Sequence, residues 1–333
     1  MKLIIIGGAG FIGHNVTRIL ESQGHECLVI DSNNNYQFIP HEELDYLTEE
    51  RQQRFTSEVY PVDICNYGAV DHLFRSSEFN TADAVIHLAS FPRQKVVSAN
   101  PLLAADVMGP ALINLLELSA KYRIPRFVYI SSSMVYGDFT SGVVESAVCD
   151  PQGQYAIMKH MGELMVKDYA RRGCFDYTII RPSAVYGEWD VEDRVISKFM
   201  LSALRGENLR VHGAGEVLDF THVEDTAQGI VLAGISDNSK NKTYNITRSN
   251  ENTKTLKEVA ELIIEITGSE SSVELLDRDT SFPSRGRLSI DSAKKDFGYD
   301  PQIDLAEGLK RYHRWFQESK FWVERLALSR SLV

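Results

Sequence analysis

The 333-residue sequence contains few cysteines, and none of them lies in a recognisable motif. Cys27, Cys65, Cys149 and Cys174 form no CxxC pair, and no set of His, Cys and Asp has the spacing of metal ligands. This pattern excludes a cysteine-based zinc module and a disulfide-rich secreted scaffold. It predicts reduced thiols in a cytoplasmic protein without a bound metal.

Basic runs and long apolar runs are also missing. The formal charge is −11 at pH 7 and Lys and Arg do not cluster, so we expect neither nucleic acid nor an anionic membrane surface as a partner. We find no apolar stretch that approaches the length of a membrane span. The apolar start stops at Gly7 and is followed by the polar residues His14, Asn15 and Arg18, which argues against a signal peptide.

The first half of the sequence alternates between strand and helix patterns. Short apolar runs predict parallel strands at residues 2–6, 26–31, 59–62, 84–89, 127–131 and 177–181. Helical spacing of apolar residues predicts helices at 11–22, 67–74, 102–122 and 155–171, and residues 32–57 are expected to form a loop with a short helix. This alternation is typical of an α/β fold with a Rossmann-type, doubly wound parallel sheet.

Beyond Pro182 the alternation becomes less regular. Helices are predicted at 196–205, 226–234, 254–267 and 305–316, a strand at 209–212, and loops over most of 268–302. We therefore expect a nucleotide-binding domain at residues 1–182, with residues 219–247 returning to it. A smaller, partly interleaved α/β substrate domain would consist of residues 183–218 and 248–333.

A glycine-rich turn follows the first predicted strand. Gly7, Gly10 and Gly13 form a G-x-x-G-x-x-G pattern, and a G-x-G-x-x-G pattern overlaps it. Glycines permit a tight turn, a close approach of backbone N–H groups to a pyrophosphate, and close packing of a helix on a strand. The helix N-terminus near Phe11 and Ile12 would face the phosphates. The turn therefore predicts a dinucleotide site.

Acidic residues at two strand ends refine the cofactor prediction. Asp31 ends the second strand, where a carboxylate accepts bonds from the adenosine ribose hydroxyls and repels a 2′-phosphate. A turn or helix-capping role is the structural alternative. No Arg or Lys lies between Asp31 and Arg51, which favours NAD over NADP. Asp63 and Ile64 follow the third strand, and a carboxylate there could lie near the adenine amino group.

Tyr155 and Lys159 lie four residues apart in a predicted helix and so share one face. A nearby ammonium would lower the pKa of the phenol from about 10 and make it a base for a sugar or alcohol hydroxyl. On spacing alone, a surface pair is the better explanation. The serines 131–133, however, end the fifth strand, where a hydroxyl would project into the crevice at the carboxyl edge of the sheet. The conjunction favours a catalytic site.

With these motifs the sequence resembles extended short-chain dehydrogenases/reductases of the nucleotide-sugar epimerase/dehydratase group, typified by UDP-galactose 4-epimerase. The resemblance spans nearly the whole chain. The matching segments are 7–13, Asp31, 63–64, 87–89, 100–101, 131–137 (SSSMVYG), Tyr155 with Lys159, 181–187 (RPSAVYG) and 219–225 (DFTHVED).

The resemblance assigns roles to individual residues. It implies that Tyr155 is the base, that Lys159 holds the nicotinamide ribose and tunes Tyr155, and that Ser132 bonds the substrate hydroxyl, with Ser133 as a substrate contact. The implied cofactor contacts are Gly7, Gly10, Phe11, Ile12, Gly13, Asp31, Asp63, Ile64, Leu88, Ala89 and Lys159. It also implies a homodimer in which helices 102–122 and 155–171 of both subunits form a four-helix bundle.

Departures from the family pattern narrow the reaction. The 4,6-dehydratases of this group carry Asp-Glu just after the active-site hydroxyl residue, and the decarboxylases carry Glu two places after it. Here Ser133 and Met134 stand there, and methionine cannot supply the proton transfer that elimination of water requires. We therefore predict an NAD-dependent nucleotide-sugar 4-epimerase. The alternatives are a nucleotide-sugar C4 dehydrogenase that releases a keto-sugar and, more remotely, a non-catalytic NAD-binding regulator.

Two residues expected to contact the substrate also differ from the family pattern. Ala184 stands where many relatives have Asn, and Leu218 stands where they have an arginine that grips the diphosphate. The candidate replacements are Arg194, Lys198, Arg210, Arg285 and Arg287. Arg285 and Arg287 in their loop-rich stretch are our first choice, with a solvated basic patch as the alternative. The nucleotide and the sugar stay open.

Overall fold

One large parallel sheet and three two-stranded sheets organise the computed structural model, which describes residues 1–34, 39–140, 142–249, 252–280 and 282–330. The strands are β1 (Lys2–Ile6), β2 (Glu26–Ile30), β3 (Val59–Tyr60), β4 (Ala84–His87), β5 (Arg126–Ile130), β6 (Asp176–Pro182), β7 (Val185–Tyr186), β8 (Leu209–His212), β9 (Val217–Asp219), β10 (Thr221–His222), β11 (Lys242–Ile246), β12 (Thr253–Thr255) and β13 (Val273–Leu276). The large sheet has the order β11-β6-β5-β4-β1-β2-β3 with every pairing parallel, which confirms the predicted Rossmann-type α/β class.

Helices cover both faces of this sheet. They are α1 (Gly13–Ser22), α2 (His41–Gln52), α3 (Tyr67–Arg75), α4 (Gln94–Ala99), α5 (Pro101–Met108), α6 (Pro110–Lys121), α7 (Gln154–Arg171), α8 (Val195–Arg205), α9 (Val223–Ile235), α10 (Leu256–Thr267), α11 (Asp291–Phe297), α12 (Leu305–Glu318) and α13 (Lys320–Arg330). Val16 of α1 and Ile230 of α9 pack on one face. Phe74 of α3, Leu115 of α6 and Val166 of α7 pack on the other. The sheet is thereby the buried middle layer, as expected for parallel strands.

The strand order reverses next to β1, which lies between β2 and β4. Connections that leave neighbouring strands in opposite directions open a crevice at their carboxyl ends, and ligands of such sheets bind there. The segments that follow β1, β2, β4 and β5 carry the glycine turn, Asp31, Leu88 and the three serines. The topology therefore brings the sequence-predicted site residues to one edge of the sheet.

A separate apolar cluster lies beyond the sheet. It joins β8 with α8, α10, α12 and α13, and Phe316 and Trp322 are fully buried in it. Leu47 of α2 belongs to the same cluster, so a segment from the N-terminal half packs on this C-terminal unit. Conversely, part of the C-terminal half belongs to the large sheet. The strand β11 pairs with β6, and α9 packs on α1, so residues 223–246 contribute one strand and one covering helix. The exact domain boundaries stay a prediction.

Several elements differ from the sequence-based prediction. Residues 102–122 form two helices rather than one, because Pro110 lacks an N–H group to continue the ladder after Gly109. The region 32–57, predicted as a loop with a short helix, contains the twelve-residue α2. The strand β11 and the helices α4, α11 and α13 were not predicted. The elements α4 and α11 are only six and seven residues long, and such short segments have a weak periodic signal.

The α5–α6 stretch corrects a further expectation. Residues Pro101–Lys121 are long and apolar enough to span a membrane by length and composition, with a mean hydropathy of 1.4, whereas no such stretch was expected. More than half of that stretch is buried inside the fold, and the core helix of a globular protein has the same composition. The finding therefore carries no membrane assignment.

Candidate active site

A cleft of about 470 Å³ lies at the carboxyl edge of the large sheet, and the glycine turn forms its floor. The Gly7 N–H donates to the Ile30 carbonyl at 2.8 Å, which ties the turn to β2. Gly7 has φ +82°, and a Cβ there would lie 2.6 Å from the Ala89 nitrogen. A Cβ on Gly13 would lie 2.0 Å from the Gly7 oxygen. Only glycine leaves room for this approach of strand, loop and helix.

The remaining turn residues line the same cleft. Gly10, Phe11 and Ile12 are at its surface with Gly7 and Gly13, where α1 begins. A helix start with free N–H groups and a positive dipole end is an anion site, so this wall suits the pyrophosphate of a dinucleotide. A more open depression of about 760 Å³ lies at the far end of α7, near Lys167, and shares no lining residue with the cleft in the described part of the chain.

Asp31 stands at the end of β2 on the cleft wall. Its carboxylate accepts hydrogen bonds from the N–H groups of Ala9 and Asn33, each at 3.0 Å. Burial raises the pKa of Asp31, while these N–H donors and the Arg51 guanidinium act in the opposite direction. The carboxylate is thus fixed beside the glycine turn, the position required for a ribose contact.

Arg51 was not predicted as a site residue. It reaches the cleft from α2, is buried, and donates to the Trp189 carbonyl at 3.1 and 2.6 Å. The sequence places it twenty residues beyond Asp31, and only the folding of α2 over the cleft brings the two charges together. The Arg54 guanidinium stacks on Trp189, 3.6 Å from its ring centroid. The 187–194 loop and α2 therefore meet above the cleft.

The other predicted cofactor residues fall into two groups. Ile64, Leu88 and Ala89 line the cleft. Asp63 is not among the lining side chains, and its carboxylate accepts from the Cys65 N–H at 2.9 Å and from the Asn34 side chain at 3.4 Å.

The three consecutive serines have different partners. Ser131 also lines the cleft, but its hydroxyl donates to the buried Glu163 at 2.6 Å. Ser132 caps a short 3-10 helix, Ser133–Tyr136, and its oxygen accepts from the Met134 N–H at 3.2 Å. Ser132 also bonds the Tyr155 phenol, an interaction that lowers the pKa of the tyrosine. Ser132, rather than Ser131, is thus the serine that interacts with Tyr155.

Tyr155 and Lys159 both line the cleft from α7. The Lys159 ammonium lies 5.9 Å from the Tyr155 ring centroid and donates to the Ile130 carbonyl at 2.8 Å. Burial lowers the pKa of Lys159 to about 7, against the pull of Glu163. A lysine with this pKa is only partly charged near neutral pH.

The net shift of the Tyr155 pKa is opposite to the expected lowering. Burial raises the pKa of the Tyr155 phenol, although Ser132, Arg194 and Arg285 act to lower it. The expectation considered only the neighbouring positive charge and not the burial of the phenol. Desolvation of the phenolate outweighs the neighbouring groups because the side chain is almost fully buried.

The predicted substrate-binding residues separate into those in the cleft and those outside it. Ser133, Arg194 and Arg285 line the cleft. Lys198, Arg210 and Arg287 are not among its lining residues. Lys198 pairs with Asp193, Arg210 is exposed and pairs with Glu274 at 3.5 Å, and Arg287 is exposed on the outside of its loop.

A further arginine was missed. Arg93 lines the cleft from the loop after β4 and pairs with Asp193, whose carbonyl it also bonds, on the opposite wall. Burial and the neighbouring Arg194 lower the pKa of Arg93, while Asp193 raises it. The unusual composition of the 91–95 loop was a visible signal, but its partner lies a hundred residues away.

Comparisons with known proteins identify the family of the chain. The family model of the NAD dependent epimerase/dehydratase family matches residues 3–247. A UDP-glucuronate 4-epimerase from Thermodesulfobacterium geofontis is 27% identical over 95% of this chain and 96% of its own. A dTDP-glucose 4,6-dehydratase from Streptomyces niveus is 27% identical over 98% of this chain and 96% of its own.

Solved structures give the same assignment. A dTDP-glucose 4,6-dehydratase from Streptomyces venezuelae, crystallised with NAD, superposes with a TM-score of 0.84 and is 26% identical over 98% of this chain and 100% of its own. The relatives thus include both epimerases and dehydratases, and solved structures of both kinds contain NAD, the predicted cofactor. The fold, the glycine turn and the family match together establish that the chain is an enzyme of the NAD dependent epimerase/dehydratase family.

Proposed function

We propose that the protein is an NAD-dependent nucleotide-sugar 4-epimerase. The observation that carries the proposal is the placement of Ser132, Tyr155 and Lys159 on one cleft while Met134 occupies the wall beside them. Met134 is buried in the same apolar cluster as Tyr155. An elimination of water needs an acid next to the sugar, and a methionine cannot act as one. The site therefore supports oxidation and reduction at a carbinol.

The residues of the cleft fit NAD, because the absence of a Cβ at Gly7 and Gly13 lets the turn pack tightly between β1 and the start of α1, where the helix N-terminus suits a pyrophosphate. Bound NAD supplies the acceptor and later the donor of the hydride at C4. Tyr155 removes the proton of the C4 hydroxyl, and Ser132 holds that hydroxyl by a hydrogen bond. The Lys159 side chain keeps an N–H donor near the Tyr155 ring. After the keto-sugar has turned in the cleft, Tyr155 returns the proton to the C4 oxygen.

The diphosphate of the substrate is assigned to Arg285 and Arg194. Both arginines line the cleft, and both lower the pKa of the Tyr155 phenol electrostatically. They are therefore close to the proposed catalytic tyrosine. A guanidinium binds a phosphate by two parallel hydrogen bonds, so either arginine can replace the missing one at Leu218. A thermal-shift screen of nucleoside diphosphates and their sugars identifies the nucleotide, because binding adds RT ln(1 + [L]/Kd) to the stability of the folded state.

The central test separates an epimerase from a C4 dehydrogenase. The purified protein is denatured, released NAD(H) is quantified, and turnover of the sugar nucleotide found in the screen is followed without added cofactor. Near-stoichiometric NAD and epimerisation without external NAD are expected. Stoichiometric consumption of added NAD with release of a keto-sugar would instead identify the dehydrogenase. The Tyr155→Phe variant should lose activity and keep its NAD, and persistent activity would refute the assigned base.

We also propose a cytoplasmic homodimer. Exposed apolar side chains follow one another along α5, α6 and α7, among them Leu102, Ile113, Ile157 and Leu164. Burial of such side chains in a four-helix interface would remove them from water. Light scattering after size exclusion should give a dimer. Leu164→Asp should dissociate it, whereas Leu275→Asp on β13, equally exposed at 54% against 53%, should not. A monomeric wild-type chain would overturn this proposal.

A further inference from the structure

The first turn of the catalytic helix α7 has no side-chain cap of its own. Gly153 is the N-cap residue, and it offers no side chain to the free N–H groups that follow. Tyr155 is the second residue of the helix, so its N–H is one of these groups. An N–H left unsatisfied in a buried position is costly, so a partner from elsewhere is required.

Gln94 supplies that partner. Its side-chain oxygen accepts from the Tyr155 N–H at 3.0 Å, and the side chain is buried. Its amide nitrogen donates to the Ser98 hydroxyl at 3.1 Å, and the Tyr155 N–H, which can only donate, requires the oxygen end of the amide to face it. Gly153 has φ +83°, and a Cβ there would lie 2.6 Å from the Gln94 amide oxygen. The turn before α7 is thus shaped around this amide.

The position of Gln94 connects the two walls of the cleft. It begins α4 directly after Arg93, which pairs with Asp193 on the opposite wall. Asp193 precedes Arg194, one of the two arginines that act on the Tyr155 phenol. The dipeptide 93–94 therefore joins the start of the catalytic helix to the loop that presents Arg194.

We propose that Gln94 is a positioning residue for Tyr155, holding the first turn of α7 by a cap supplied from a separate segment. The inference rests on the proposed role of Tyr155 as the base. Gln94 fixes the backbone of the residue whose phenol must meet Ser132 and the substrate hydroxyl. Displacement of a catalytic group by about 1 Å can reduce a rate on the order of 100-fold, so a single hydrogen bond at this place affects turnover.

The test compares three variants in the NAD-loaded enzyme. Gln94→Met keeps the length of the side chain and removes the acceptor, Gln94→Glu keeps an acceptor, and Ser98→Ala removes the other hydrogen bond of Gln94. We expect Gln94→Met to reduce kcat on the order of 10- to 100-fold with KM and NAD content unchanged. The acidic limb of its pH–rate profile should move to higher pH, because the Tyr155 phenol would be displaced from the neighbouring groups that lower its pKa. Gln94→Glu should recover most of kcat, and Ser98→Ala should resemble the wild type.

A second readout needs no turnover. Amide hydrogen exchange at Tyr155 should accelerate in Gln94→Met but not in Ser98→Ala. An unchanged exchange rate, or a fall in kcat shared equally by Gln94→Met and Gln94→Glu, overturns the role of Gln94. If the wild type oxidises no nucleotide sugar, the proposed function fails, and the exchange experiment still decides whether Gln94 caps the helix.

Discussion

Glu163 and Arg181 form a two-point ion pair behind the catalytic wall. The Arg181 Nε lies 2.8 Å from Glu163 Oε1 and its Nη2 lies 2.6 Å from Oε2. Glu163 is fully buried, and the Ser131 hydroxyl donates to the same carboxylate. The pair joins α7 to the ends of β5 and β6, and it engages the first of the three serines in a structural network.

The two neighbouring serines should therefore respond differently to alanine substitution. Ser132→Ala removes the partner of the Tyr155 phenol and should lower kcat on the order of 100-fold with little change in the melting temperature. Ser131→Ala leaves a lone pair of Glu163 unsatisfied and should lower the free energy of unfolding by about 1–3 kcal/mol with kcat largely retained. Steady-state kinetics and chemical denaturation measure the two effects. The reverse pattern would move the catalytic role to Ser131.

The Glu163 carboxylate makes stability depend on acid. Burial opposes its ionisation, but the bonds from Arg181 hold the pKa of Glu163 at about 2. Because the pKa is lower in the folded than in the unfolded state, the stabilisation is complete above the unfolded value and is lost as pH falls from about 5 to 2. The loss amounts to about 3 kcal/mol.

Glu163→Gln tests this dependence. The variant should be less stable by about 3–5 kcal/mol near neutral pH, because Arg181 stays buried without its partner. Its deficit relative to the wild type should shrink between pH 5 and 2. The exposed Glu270→Gln should differ from the wild type by a small amount that does not change with pH. A constant deficit for Glu163→Gln would contradict the assignment.

The parts of the site that could be predicted from sequence are those encoded locally. The glycine turn depends on seven consecutive residues, and Tyr155 and Lys159 share a helical face by their spacing alone. The break between α5 and α6 was equally local, since Gly109 and Pro110 stand in the sequence, and the apolar periodicity on either side concealed it.

The missed residues depend on contacts between distant segments. Arg51 enters the cleft because α2 packs on the C-terminal unit, and Arg93 and Gln94 act on residues 100 and 61 positions away. Their neighbours in sequence give no sign of these partners. The direction of the Tyr155 pKa shift was also inaccessible, because it is set by burial, which only the folded chain defines.

Lys159 shifts stability with pH in the same direction as Glu163, but at higher pH and because burial disfavours its charged form. Burial lowers its pKa to about 7, so the unfolded chain binds the proton more strongly than the folded one. Between pH 7 and about 10.5 the unfolded state therefore holds more protons, and this group makes the folded state more stable as pH rises. In Lys159→Met the penalty for burying the charge disappears.

The pH dependence of that variant provides the measurement. The stability of Lys159→Met minus that of the wild type should be most favourable below pH 7 and should fall by up to about 5 kcal/mol as pH rises to 10.5. The lost bond to the Ile130 carbonyl adds an offset that does not depend on pH. The exposed Lys95→Met is the control and should show no such trend. Equal pH profiles for Lys159→Met and the wild type would mean that Lys159 is charged at neutral pH.

Arg285 should determine substrate affinity. Backbone bonds from Phe139 to Ser284, at 2.9 Å, and from Arg287 to Thr140, at 3.2 Å, fix the loop on both sides of it. A Cβ on Gly286 would overlap the Thr140 oxygen at 1.3 Å, so only glycine permits this close contact between the two segments. Arg285 therefore faces the cleft while Arg287 is exposed, although the sequence gives the two arginines equal weight.

Arg285→Ala should weaken binding of the nucleoside diphosphate about 10- to 100-fold, since hydrogen bonds to charged groups contribute about 1.5–3 kcal/mol. Its NAD content should be unchanged, and titration calorimetry with the diphosphate identified by thermal shift measures the effect. The acidic limb of its pH–rate profile should also move to higher pH, because Arg285 is one of the groups that lower the pKa of Tyr155. Arg287→Ala should bind within about twofold of the wild type. Equal losses in both variants would show that the diphosphate is attracted by the general charge of the loop and is not held by Arg285.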